Sequence, residues 1–127
     1  MKWSIGITAG VVAAAAALLA APTGTAKDGD VLVAGSCTKG TTSKLKLSEE
    51  NGRIEVEFEV DQNRNGVRWT VVLTQNGSRV ARLSRVTRGP SGSFEARIVA
   101  PNRAGGDRFQ ARATSPSSEV CTARASF

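Results

Sequence analysis

From Arg53 to Val60 the chain alternates without a break: Ile54, Val56, Phe58 and Val60 fall on one side, Glu55, Glu57 and Glu59 on the other. A period of two marks a half-buried β-strand, because successive side chains leave a pleated backbone on opposite faces. Val67, Trp69, Val71 and Leu73 repeat the pattern against Arg68, Thr70, Val72 and Thr74. Asn76-Gly77 follows, the strongest short signal for a type I′ hairpin, which needs positive φ at both central positions. A two-residue loop sets Leu73 against Val80 and Val71 against Arg82, an Arg facing a buried Val. One extra residue near Ala81-Arg82, a β-bulge, brings Leu83 opposite Val71 and restores the pattern.

Shorter strands are expected at Val31–Ala34, Lys44–Leu47, Ser93–Val99, Arg108–Ala113 and Val120–Ser126, parted by Gly-, Pro- and Ser-rich turns. No stretch after residue 26 sustains a helical period. Seven to eight short strands in about 100 residues predict an all-β fold, a single antiparallel β-sandwich. A closed barrel is the alternative, and it suits longer and more equal strands.

The first 26 residues follow a different rule. Met1-Lys2-Trp3-Ser4 carries one positive charge, Ile5 to Ala21 is an uncharged apolar run, and Pro22 ends it. Gly24-Thr25-Ala26 places small residues where a signal peptidase requires them, so a secretory signal peptide over 1–26, a leader helix cleaved after Ala26, is expected, with a sandwich domain over 27–127. The chain is then secreted, with no membrane contact after cleavage. Cys37 and Cys121 are expected to form a disulfide, since an exported chain with two cysteines pairs them. Closing a loop of roughly 85 residues contributes up to ~4.5 kcal/mol in the chain-entropy account.

Two further features extend the fold reading. Ile54-Glu55-Val56 leads to Asn63-Arg64-Asn65-Gly66 and Arg68-Trp69, and Phe94-Glu95-Ala96 leads to Asn102-Arg103-Ala104-Gly105 and Arg108-Phe109, an internal echo. Trp69 on a middle strand resembles the core Trp of immunoglobulin-like domains. Asp107-Arg108-Phe109-Gln110-Ala111 is similar to the Asp-x-Tyr-x-Cys start of their strand F, with Phe for Tyr and Ala for Cys. The resemblance implies an immunoglobulin-like sandwich with no tyrosine-corner hydrogen bond and no inter-sheet disulfide at that site. With its leader, the Ala-, Arg- and Gly-rich chain also resembles small secreted proteins of high-GC actinomycetes. Neither resemblance carries an activity.

Composition narrows the chemistry. The 127 residues include no His and no Tyr, which excludes Ser-His-Asp, Cys-His and His-metal mechanisms. Two Cys are too few for an all-cysteine zinc site or an iron–sulfur cluster. Glu55, Glu57 and Glu59 offer paired carboxylates, but they point off the outside of a sheet, where Arg97 of a neighbouring strand can pair with them. No enzyme and no cofactor are expected.

Asp61-Gln62-Asn63-Arg64-Asn65-Gly66 matches the first half of a calcium loop. The Glu that should close it falls at Val72, leaving Asp61, Asn63 and Asn65 as a weak metal candidate and an Asx-rich turn as the plainer reading. The glycosylation sequon Asn76-Gly77-Ser78 is explained by the hairpin turn.

The formal net charge of +6 is unevenly placed. Residues 27–63 hold more acids than bases, whereas 64–112 hold ten Arg against Glu95 and Asp107. Arg68, Arg79, Arg82, Arg85 and Arg88 are the candidate anion contacts. A spacing of three alternates faces in a strand, so the last four form one stripe only if the chain bulges between them. The expectation is a secreted, non-catalytic module that binds or builds outside the cell, its partner an extracellular protein or an anionic polymer. The alternatives are a polyanion-binding protein using its Arg-rich side, or an inhibitor of an extracellular enzyme presenting Gln62–Gly66 or Ala100–Gly106. No motif for specific nucleic-acid recognition accompanies the charge.

Overall fold

Alternating burial assembles nine strands into two antiparallel sheets, stacked as a β-sandwich, in the computed structural model, which describes residues 29–127. The expected leader helix and the cleavage site after Ala26 lie outside the described residues. The strands are β1 (Val31–Ala34), β2 (Ser36–Cys37), β3 (Thr42–Glu50), β4 (Arg53–Asp61), β5 (Arg68–Gln75), β6 (Ser78–Val86), β7 (Ser93–Pro101), β8 (Arg108–Thr114) and β9 (Val120–Ser126). One sheet runs β1-β3-β4-β7 and the other β2-β9-β8-β5-β6. The β4–β5 and β7–β8 connections both cross between the sheets, so the two halves of the internal echo fall at corresponding corners of the sandwich.

The inner faces are the apolar sets read from the alternation. Ile54, Val56, Phe58 and Val60 of β4 meet Trp69, Val71 and Leu73 of β5 in one core, all but fully buried. The Trp69 ring tilts against Phe94 with centroids 6.1 Å apart, and its indole N–H donates to Gln62 Oε1 at 3.1 Å. An indole buried without that acceptor would lose its hydrogen bond to water for nothing. Ala111, Ala113, Ala123 and Ala125 keep β8 and β9 thin on the core side.

Nine strands replace the expected seven to eight because the first strand breaks at Gly35. Val31–Ala34 pairs with β3, while Ser36-Cys37 has switched sheets and pairs with β9. A β-carbon on Gly35 would overlap Ser43 Oγ and stand 2.7 Å from the Thr122 carbonyl, so only glycine lets the chain change sheets there. The switch sets Cys37 opposite Cys121 in register, and the two form the expected disulfide across 84 residues of sequence.

The hairpin has its turn and its bulge. Asn76 and Gly77 both take positive φ, at 50° and 87°. Val71 pairs with Leu83, and the extra residue is Val80, since Leu73 pairs with Ala81 and Thr74 with Arg79. The bulge thus lies one residue nearer the turn than Ala81-Arg82.

Side chains and tight backbone contacts lock each end of the sandwich. At one end, Gly92 accepts from Gln62 N–H at 2.9 Å, and Thr87 Oγ1 accepts from Val67 N–H at 2.9 Å and donates to the Arg64 carbonyl at 2.6 Å. At the other end Asp107 is buried. Its carboxylate accepts from Gln75 Nε2 at 2.7 Å, from Arg103 N–H at 3.0 Å and from Asn76 Nδ2 at 3.4 Å. This Asp107 tie secures the corner where Phe109, buried beside it, has no hydroxyl to offer.

Candidate functional site

With Trp69, Val71, Leu73 and Gln75 buried, Arg68, Thr70, Val72 and Thr74 make up the outer face of β5. The register extends that face in rows. Val72 pairs with Arg82 on β6 and with Arg112 on β8, and Arg112 pairs with Thr122 on β9. Thr74 pairs with Arg79 and Gln110, and Gln110 with Arg124. Beyond them Arg108 pairs with Ser126, and on the other side Thr70 pairs with Ser84 and Thr114. The outer face of the five-stranded sheet therefore carries Arg68, Arg79, Arg82, Arg108, Arg112 and Arg124 among Thr, Ser, Gln and Val, with no Asp, Glu or Lys at any of these positions.

The bulge at Val80 is what brings Arg79 and Arg82 onto one face despite their odd spacing. Arg85 does not join them. It pairs with Trp69, on the inward-facing side of the edge strand, and its guanidinium donates to the Ser84 carbonyl at 2.9 Å. Arg88 lies past β6, in an isolated bridge with Ser93. Of the five candidates read from sequence, Arg68, Arg79 and Arg82 belong to the face, and Arg108, Arg112 and Arg124 complete it. Those three alternate with Phe109, Ala111, Ala113, Ala123 and Ala125, so their outward direction is a sequence signal. That β8 lies beside β5 is a tertiary fact without a local signal.

The opposite sheet is built differently. On its outer face Lys44 pairs with Glu59 at 3.2 Å, Lys46 stands 3.8 Å from Glu57 and 3.9 Å from Asp30, and Arg97 reaches Glu50 at 3.1 Å and Glu55 by a short ion pair. The acidic row of β4 is thus laced with cations. Glu57 is pushed above the usual carboxylate range, first by burial and then by the charges of Glu95 and Glu55. The hydrogen bond that Arg97 donates to Glu55 in turn raises Arg97. By contrast, among the described residues none of the six arginines on the five-stranded face is ion-paired. Arg68 donates to Ser84 Oγ at 3.0 Å and Arg124 Nε to Gln110 Oε1 at 3.2 Å, both neutral partners that orient a guanidinium and leave its charge in place.

Edge protection explains only part of this charge. Arg79 and Arg82 sit on β6, an edge strand, where cations discourage strand-on-strand pairing. Arg68 sits on β5, between β6 and β8, and Arg108 and Arg112 sit on β8, between β5 and β9; Arg124, on β9, lies past Cys121 and Thr122, the two residues that β2 covers. Interior strands have no edge to protect.

The remaining candidates are structural. Asp61 Oδ1 accepts from Asn63 N–H at 3.2 Å, an Asx turn, with Asn63 and Gly66 at positive φ. Among the described residues no three acidic or Cys side chains converge where a metal ion could sit. Gln62–Gly66 and Ala100–Gly106 emerge at opposite ends of the sandwich, since Asp61 pairs with Ser93 at one end of β4 and Arg53 with Pro101 at the other. No protein-family model matches this chain, and no curated protein matches it.

Proposed function

We propose that the chain is an exported, non-catalytic binding module that lays the outer face of its five-stranded sheet against an anionic polymer outside the cell. The observation that carries this reading is the uncompensated set of six arginines from four adjacent strands, three of them, Arg68, Arg108 and Arg112, on β5 and β8, strands with a long neighbour on either side. Such a face costs self-repulsion and stabilises nothing in the isolated fold, whereas a linear polyanion offsets it at every contact. Export is supported by the leader pattern of residues 1–26 and by a disulfide whose Cys121 is fully buried, a bond that persists in oxidising compartments.

The chemistry of the face also narrows the polymer. Trp69, Phe58, Phe94 and Phe109 are all buried, so the face has no aromatic platform on which bases could stack. Recognition then runs through charged groups, as in teichoic-acid-like or sulfated chains. The inhibitor reading is weaker, because neither candidate loop is stiffened by a disulfide of its own, the one bridge being Cys37–Cys121. Retention on immobilised heparin and poly(glycerol phosphate) tests the proposal: Arg82→Ser/Arg112→Ser/Arg124→Ser should elute at much lower salt than wild type, and equal elution would contradict it.

A further inference from the structure

The arginines are not spread evenly over this face. Five of the six lie in the half nearer the Asn76-Gly77 turn, and there a shallow groove runs between Arg108 and Arg124, lined also by Thr74, Gly77, Gln110 and Ser126. Arg108 and Arg124 are one strand and two residues apart, which places their Cα atoms ~8 Å from each other. Their side chains can close on a group seated above Gln110. The backbone of Arg108 is fixed by its N–H bond to Asn76 Oδ1 at 2.8 Å, and Arg124 is aimed by its Nε bond to Gln110. That bond uses one donor and leaves both terminal amino groups of Arg124 free to form a fork.

We infer that this groove is a discrete oxyanion subsite that takes one phosphate or sulfate ester group of the polymer. The inference rests on the proposed face and sharpens it. A tetrahedral ester presents several non-bridging oxygens in different directions, so it can bridge two guanidiniums that approach from adjacent strands. A planar carboxylate holds its lone pairs in a single plane, so it meets one fork well and a second guanidinium from the neighbouring strand only at a poorer angle. Thr74 and Ser126 line the same groove and add hydroxyl groups to its wall, and Gly77 forms part of its rim. Residue choice points the same way. The opposite sheet mixes Lys44 and Lys46 with Arg97 beside its Glu row, whereas every cation of this face is Arg, the side chain whose rigid fork matches an oxyanion.

Substitution by lysine separates the subsite from the face, because it keeps the charge and removes the fork. Binding of poly(glycerol phosphate) and of heparin to the disulfide-intact protein should weaken about five- to tenfold in Arg108→Lys and in Arg124→Lys, and by less than about twofold in Arg79→Lys. Inorganic phosphate and sulfate, titrated at low salt, should shift the Nε–H resonances of Arg108 and Arg124 before those of the other four. A larger effect with one polymer identifies the source of the ester. If all three lysine variants bind as wild type while Arg→Ser substitutions still weaken binding, the face stands and the subsite is wrong. If neither Lys nor Ser substitutions change binding, both fall together.

Discussion

Arg82 and Arg112 stand on either side of Val72, each its direct partner in register, so two guanidinium-bearing strands flank one small apolar side chain. Their Cα atoms are ~10 Å apart by strand spacing, and two like charges at that distance repel by ~0.4 kcal/mol in water. The fold gains nothing from such a pair. Arg112→Ser should therefore leave stability to urea unchanged or raise it by a few tenths of a kcal/mol while weakening polyanion binding. A loss of more than about 1 kcal/mol would show that Arg112 holds the sheet rather than a partner.

Cys37 belongs to a two-residue strand whose only sheet partner is β9, and the disulfide fastens it there. Reduction, or Cys37→Ser with Cys121→Ser, should cost about 2–5 kcal/mol and free the N-terminal segment from the five-stranded sheet. Thermal melts with and without reductant check this. An unchanged midpoint would mean that β2 is held by its other contacts.

Asp107 is buried and serves three donors from two segments of chain, Gln75-Asn76 and Arg103. Asp107→Ala should destabilise by roughly 2–3 kcal/mol, because the Arg103 N–H would lose its acceptor and the Gln75 amide one of its two, the Pro101 carbonyl remaining. Asp107→Asn, which keeps one carbonyl oxygen, should cost less. Equal losses in the two variants would deny the carboxylate its role as a shared acceptor.

Glu57 makes the outer face of the four-stranded sheet sensitive to pH. Its native pKa lies above the ordinary carboxylate range, burial being the largest cause. The native state thus takes up this proton before the unfolded state does as pH falls. The stability that Glu57 contributes is fully present below its unfolded pKa and is lost as pH rises through the raised native value. Glu57→Gln should accordingly stabilise the protein at neutral pH and lose that advantage below about pH 4, where both states are protonated. Urea unfolding at the two pH values checks the sign, and an advantage that grew in acid would contradict it.

Much of the fold was legible because it rests on local alternation. Ile54 to Val60 and Val67 to Leu73 name their own buried faces, Asn76-Gly77 names its turn, and an Arg opposite Val71 demanded the bulge that Val80 supplies. The sheet switch at Gly35 was missed because a two-residue strand carries no period, and its cause is an overlap with Ser43 and Thr122 brought near only by folding. The site was half legible. Arg79 and Arg82 stood out by their density, whereas Arg108, Arg112 and Arg124 looked like ordinary strand positions until β8 paired with β5 and β9. Arg85 and Arg88 share the same sequence pattern, but the strand parity after the bulge and the end of β6 take them off the face.

The most direct measurement is the salt dependence of binding to poly(glycerol phosphate). Each phosphate met by an arginine releases a counterion, with a slope of about −0.7 in log K against log salt for a single-stranded polyanion. Four or five contacts predict a slope of about −3 for the wild-type protein, falling by about 2 units in Arg82→Ser/Arg112→Ser/Arg124→Ser. A slope near zero, or a steep slope that the triple substitution leaves untouched, would contradict the claim that this face is the binding surface.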